Sequence, residues 1–278
     1  MADTVYFDPA ETLFVSDLDG TLLTPESTLP AGAAEKIRAL TERGVRLTYA
    51  TARTIRSAAF ILAGVPYTAP VSLMNGTFLR DMDRGVYVRR HVIDPAAAAL
   101  VLSMQAEPFI YTLDAQDALF TAYRRLENPA MEAFMRERIE RYGKPFRRIG
   151  EALPTEEIVY FCYLGGRARL SPVYDRLRQL SSVQCAFYPD HADADTWYLE
   201  VFDASASKGN AVRELREETG CGTIVAFGDN YNDVPMLAGA DYAVAVDSAP
   251  ETVRAVANDT VACGMGVLDW IDRHTRHE

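Results

Sequence analysis

The sequence predicts an α/β fold, with a doubly wound core on a parallel sheet and a second, smaller α/β domain inserted into it. Three observations carry that expectation. Short apolar runs alternate with amphipathic stretches over the first eighty residues, the same rhythm returns after residue 205, and the middle of the chain is more aromatic and alternating. Strand, helix and strand in turn is the pattern of a parallel sheet, where each return crossover needs a covering helix.

In chain order, TLFVSD (12–17), VRLTYAT (45–51) and PVSLMNG (70–76) read as strands, separated by the helical stretches PAGAAEKIRALTERG and IRSAAFILAG. Far downstream, SKGNAVRELREETG reads as a helix, TIVAFGD (223–229) and YAVAV (242–246) as strands, and VLDWIDRHTRH as a closing helix. Between these halves, FLRDMDRGVYVRR reads as a hairpin about DMDRG, and FIYTLD, EIVYFCYLGG, VQCAFYP and WYLEVFD as strands. Two helices accompany them, PAMEAFMRERIERYG (129–143) and LSPVYDRLRQL (170–180). In the first, Met131, Phe134, Met135 and Ile139 recur at helical spacing and should cover the inserted sheet. The expected division is residues 1–80 and 196–278 for the core and 81–195 for the insertion.

Composition narrows the function classes. At 278 residues and 49% apolar, the chain exceeds the size of a single small core and is unlike a disordered one. Against 28 basic residues stand 39 acidic ones, a net charge of −11 that repels nucleic acid and anionic membrane surfaces, so neither is an expected partner. The segment MADTVYFDPAE has no basic stretch followed by an apolar one, and no run of eighteen apolar residues occurs; a cytoplasmic setting is expected. Cys162, Cys185, Cys221 and Cys263 form no CxxC pair, which points to free thiols in place of a zinc site or a disulfide framework.

In an open parallel sheet, ligands bind beyond the carboxyl ends of the strands. Asp17 and Asp19 close the first strand, Thr51 and Arg53 the second, Asn75 and Gly76 the third, and Asp229 the strand TIVAFGD, while Lys208 opens a helix. Carboxylates that close together resist joint ionisation unless a cation neutralises them or one keeps its proton. With Asp229 and Asp233 from GDNYND, four acids can converge, an all-oxygen donor set that suits Mg²⁺. A phosphoryl group beside the metal would be gripped by the Thr51 hydroxyl, the Lys208 ammonium and the backbone N–H groups of Asp19-Gly20-Thr21. One carboxylate can then act as nucleophile, and a second can move protons. Arg53 is nearly as readily a structural salt bridge as a substrate contact and stays outside the catalytic set. PDHADAD (189–195) reads as a solvated loop, since its His191 has no second His or Cys at ligand spacing.

DLDGT behind its apolar strand, TYATAR, SKGNA and GDNYND resemble, in order and spacing, the four motifs of the haloacid dehalogenase superfamily of phosphohydrolases. The long insertion between the second and third resembles the C2-type α/β cap of the Cof-type subfamily IIB. The resemblance implies a Rossmann-like core and a Mg²⁺-dependent phosphatase of small phosphate monoesters, sugar phosphates first among them. It implies Asp17 as nucleophile and Asp19 as acid/base that also offers a backbone carbonyl to the metal. Thr51 and Lys208 would hold phosphate, Asp229 would bind metal, and Asp233 would direct Lys208 or the metal's water shell. Asn232 would contact phosphate or Lys208, with the Asn75-Gly76 step beside the site. Two departures lie at the rim: Ala52 where many relatives have glycine, and Thr77 where many have alanine. A phosphotransferase or phosphosugar mutase, and a non-catalytic sensor of a phosphorylated metabolite, are the alternatives.

Overall fold

A computed structural model describes residues 5–151, 154–190 and 193–275; His191 of PDHADAD lies outside them. The chain runs β1 (Thr12–Ser16), α1 (Ala33–Glu42), β2 (Arg46–Tyr49), α2 (Ile55–Ile61), β3 (Val71–Leu73), β4 (Phe78–Asp81) and β5 (Val86–Arg90). It continues through α3 (Pro95–Leu102), β6 (Phe109–Leu113), β7 (Leu119–Tyr123), α4 (Pro129–Tyr142), β8 (Phe146–Arg148), β9 (Glu157–Gly166), α5 (Arg167–Leu177), β10 (Val183–Pro189) and β11 (Thr196–Asp203). The last part comprises α6 (Lys208–Thr219), β12 (Thr223–Gly228), α7 (Val234–Gly239), β13 (Tyr242–Val246), α8 (Glu251–Arg254), β14 (Asp259–Val261) and α9 (Met265–His274). No described helix is long and apolar enough to cross a membrane.

Two compact units result, one built from the chain up to Arg89 and from Ser207 onward, the other from Arg90–Ala206. The first is organised by a parallel sheet in the order β14-β13-β12-β1-β2, extended by a parallel bridge from Ala50 to Ser72 of β3. Every residue of β1 is buried, as a strand covered on both faces by helices requires, and this explains its unbroken apolar run. From β1 the chain moves outward through β2 on one side and, after the inserted unit, through β12 and β13 on the other. The strand order therefore reverses between β1 and β12, where such sheets leave a crevice at their carboxyl ends.

The hairpin β4–β5 belongs with this unit and not with the insertion, so the division falls at Arg89/Arg90 and Ala206/Ser207 where the sequence suggested 80/81 and 195/196. The cause is pairing. β4 hydrogen-bonds β3, Leu79 and Val88 pack with Ala211 and Leu215 of α6, and Arg89 Nη2 meets Glu218 Oε1 at 2.6 Å. At the other boundary, β11 pairs with both β9 and β10, which keeps residues through Asp203 in the second unit.

The second unit is a six-stranded sheet in the order β10-β11-β9-β6-β7-β8. Ile110, Phe161, Leu199 and Val201 pack with Val101 of α3 and Leu170, Val173 and Leu177 of α5. Helix α4 starts at Pro129 with Asn128 Oδ1 accepting from Met131 N at 3.0 Å, and it ends at a left-handed Gly143. Met131 and Phe134 of α4 are buried and Phe134 stacks on Phe109 at 5.1 Å, but Ile139 is exposed: the expected apolar stripe is covered only in its first half.

Candidate active site

Asp17 is the first residue beyond β1, and its N–H still donates to Phe227 O of β12 at 2.9 Å. The neighbouring strands thus hold its backbone directly at the crevice. After it the chain turns through Asp19 and Gly20, the latter at φ +81°, and Leu23 N closes the turn on Leu18 O at 2.8 Å. Gly20 is required twice: its φ is left-handed, and a Cβ there would overlap the Asp229 carboxylate. The turn is pinned at the same place by Thr21 Oγ1, which donates to Asp229 Oδ1 at 2.9 Å.

Lys208 is the first residue of α6, a helix opened by Ser207, whose hydroxyl accepts from Asn210 N at 2.9 Å. Its ammonium lies between two carboxylates, donating to Asp17 Oδ1 and Asp233 Oδ1 at 2.6 Å each. Asp233 is fully buried, and its other oxygen accepts the N–H groups of Asp229 and Asn230 at 3.0 Å. Asn230 and Asp233 form a reciprocal capping box over the turn before α7, so Asp233 caps that turn through Oδ2 and meets Lys208 through Oδ1.

Carboxylate oxygens of Asp17, Asp229 and Asp233 all lie within 4.8 Å of one another. Three such groups, two of them buried, gather about the Lys208 ammonium. Burial pushes the Asp17 carboxyl well above its ordinary range; Lys208 opposes this, and the carboxylates of Asp233, Asp229 and Asp19 add to it. For Lys208, burial alone would lower the ammonium's pKa, but Asp17 and Asp233 outweigh it and hold the group charged. An all-oxygen carboxylate set at this spacing fits a hard divalent cation such as Mg²⁺.

Thr51 is buried beyond β2, its N–H on Ser72 O at 3.0 Å and its carbonyl accepting from Asn75 N at 3.1 Å. Met74 and Asn75 both take left-handed backbone, at φ +51° and +54°, a conformation that Asn tolerates and Met resists. Gly76 follows, and a Cβ there would collide with the carbonyl oxygen of Ser207, so this turn abuts the residue before Lys208. Asn232 Nδ2 reaches Asn75 Oδ1 at 3.5 Å, a long contact that ties the two loops.

Asp19 departs from the rest. Its side chain lies outside the carboxylate cluster and is gripped by Arg53, with Nε on Oδ2 at 2.6 Å and Nη2 on Oδ1 at 2.5 Å. The sequence offered Arg53 as a salt bridge or a substrate contact and kept it out of the catalytic set; the structure shows the salt bridge, and its partner is Asp19. Thr21 was overlooked as a side chain, because the turn suggested only its backbone.

The chain is similar to several known proteins over most of its length. The chain is similar to the pyridoxal phosphate phosphatase YbhA of Escherichia coli, 24% identical over 254 residues that cover 87% of this chain and 90% of that protein. It is similar to the HMP-PP phosphatase of Escherichia fergusonii, 27% identical over 247 residues, 86% and 85% of the two chains. The crystal structure of TM0651 from Thermotoga maritima shares the fold, with a TM-score of 0.75 at 22% identity over 95% of this chain and 98% of that one. The sequence profile of the haloacid dehalogenase-like hydrolases matches residues 14–264, from inside β1 to the start of α9, and the chain belongs to that family of enzymes.

Proposed function

We propose that the protein is a Mg²⁺-dependent phosphatase that hydrolyses a small phosphate monoester, a sugar phosphate first among the candidates, through an aspartyl-phosphate on Asp17. One observation carries the reading: Lys208 bridges Asp17 and Asp233 at 2.6 Å, and the carboxylates of Asp17, Asp229 and Asp233 converge to within 4.8 Å of one another around it. A dianionic phosphoryl group could not enter such a site without further positive charge. Bound at Asp17, Asp229 and the Asp19 carbonyl, Mg²⁺ would supply that charge and polarise the phosphoryl oxygens. The relatives named above act on phosphorylated compounds, which supports the same class here.

The residues divide the work as follows. A carboxylate oxygen of Asp17 attacks phosphorus, the bond from phosphorus to the ester oxygen breaks, and that oxygen takes its electron pair and the proton of the Asp19 carboxyl. Thr51 and Lys208 hold the phosphoryl oxygens as charge redistributes, with Asp233 fixing Lys208 and the Asn75-Gly76 turn and Asn232 lining the loops beside it. Water then gives a proton to Asp19 as its oxygen attacks phosphorus, releasing inorganic phosphate and restoring the Asp17 carboxylate. The balance is ester plus water to alcohol plus phosphate.

The test is phosphate release from a panel of phosphorylated metabolites, with Mg²⁺ or with chelator, for wild type and Asp17→Asn. Metal-dependent release that falls at least ~10³-fold in a folded Asp17→Asn variant is expected. Retained activity in the variant would sink the assignment. An isomerised sugar phosphate without free phosphate would identify a mutase, and binding without turnover a sensor.

A further inference from the structure

Asp17 and Asp19 are two residues apart, yet only Asp17 is held by buried partners. The Asp19 side chain is 46% exposed. A carboxylate in that setting samples several rotamers in water, and a proton can be delivered to a leaving oxygen only from the one that faces it. The guanidinium of Arg53 removes this freedom. Its two N–H groups meet both oxygens of Asp19 in a fork, and Ser27 Oγ reaches Oδ1 at 3.3 Å. Arg53 takes one lone pair on each oxygen and Ser27 a second on Oδ1, so of these contacts none takes the second lone pair of Oδ2.

Arg53 is itself clamped. Its N–H donates to Thr51 Oγ1 at 3.1 Å, and its carbonyl accepts from Met74 N at 3.1 Å in the strained turn before Asn75. The tripeptide Thr51-Ala52-Arg53 therefore reaches two places: Thr51 stands where phosphate is expected, and Arg53 grips the carboxyl group that would serve the leaving oxygen. Resting on the phosphatase reading, we infer that Arg53 is a positioning residue for Asp19, fixing the acid/base carboxyl group by its fork and not contacting the phosphoryl group itself.

The experiment compares kcat/KM for two substrates in wild type, Arg53→Met, Arg53→Lys and Asp19→Asn. The substrates are p-nitrophenyl phosphate, whose leaving group departs without a proton, and the sugar phosphate turned over fastest in the panel, whose alkoxide needs one. Because kcat/KM reports the steps through phosphoryl transfer to Asp17, it isolates proton delivery to the leaving group. Arg53→Met should lose about 10- to 100-fold on the sugar phosphate and under ~3-fold on the aryl ester, with Asp19→Asn showing the same bias more strongly. Arg53→Lys, which keeps the charge but lacks the fork, should recover only part of the loss. An equal loss on both esters, as a phosphate contact or a general distortion would give, overturns the inference. Full recovery by lysine does so too, since charge alone would then suffice. Wild type that releases phosphate from neither ester overturns the phosphatase reading and this inference with it, whereas a biased Asp19→Asn beside an unbiased Arg53→Met removes only the role of Arg53.

Discussion

Two carboxylates of one short turn occupy opposite environments. Asp17 is 5% exposed and sits at the end of β1, bonded to Lys208 and tied by its backbone to β12, whereas the Asp19 side chain is 46% exposed and paired with Arg53. The turn through Gly20 produces the contrast, because it carries the chain out of the sheet within two residues. The difference separates two kinds of chemistry. On the proposed reading, a group that would bind metal and phosphoryl gains from burial, where charge interactions are strong, and one that would trade protons with water and a leaving alcohol must stay in reach of solvent.

The largest break in this contrast should come from Lys208→Met. It leaves Asp17, Asp229 and Asp233 crowded without their ammonium, and removing one partner of a buried charge pair costs about 3–5 kcal/mol. Phosphate release should fall by at least ~10² from the lost electrostatic stabilisation. Denaturant unfolding without metal checks the first number, and a loss under about 1 kcal/mol would mean that the bridge is not the cluster's main support. At the outer pair, Arg53→Met should cost no more than about 1 kcal/mol, because half-exposed ion pairs are worth little.

The deep half of the site was the more legible in the sequence. Asp17, Lys208, Asp229 and Asp233 lie at the ends of apolar strands or the start of a helix, so the sheet alone brings them together, and Gly20 advertised the turn. The shallow half was harder because it depends on a side-chain pair between two loops, Asp19 with Arg53, whose geometry no spacing encodes. The unit boundaries were misjudged for a related reason: FLRDMDRGVYVRR shows that a hairpin forms, but which sheet it joins depends on β4 finding β3. In PAMEAFMRERIERYG the helical period was plain, yet periodicity cannot say how far the sheet extends beneath the helix, and Ile139 emerges into solvent.

Gly20→Ala should have a middle-sized effect and join the two halves. A residue with a Cβ at φ +81° carries about 1–2 kcal/mol of strain, and here the Cβ must also displace the Asp229 carboxylate. Mg²⁺ affinity measured by calorimetry should fall roughly 10-fold, as when a group that orients a metal ligand is lost. Gly44→Ala supplies the control: at φ +87° with no atom near the new Cβ, it should carry the strain without the loss of metal. Equal Mg²⁺ affinity in the two variants would show that Asp229 can move aside without harm.

The smallest effect is a slope with pH. Burial raises the Asp17 carboxyl in the folded chain well above its ordinary value of 3.8, with Lys208 opposing and the neighbouring carboxylates adding to the rise. The folded state thus holds that proton more tightly than the unfolded state, so its contribution favours folding at low pH and is lost as pH climbs from about 4 through the raised value. Other carboxylates titrate over the same range, so the quantity to follow is the stability of wild type minus that of Asp17→Asn, in chelator, from pH 4 upward. It should fall as pH rises. If Mg²⁺ binds at Asp17 as proposed, saturating metal would compete with the proton for the same oxygen and should flatten or reverse the slope. A difference that rises with pH in chelator would mean that Lys208 outweighs burial at Asp17, and that the cluster is already balanced before any metal arrives.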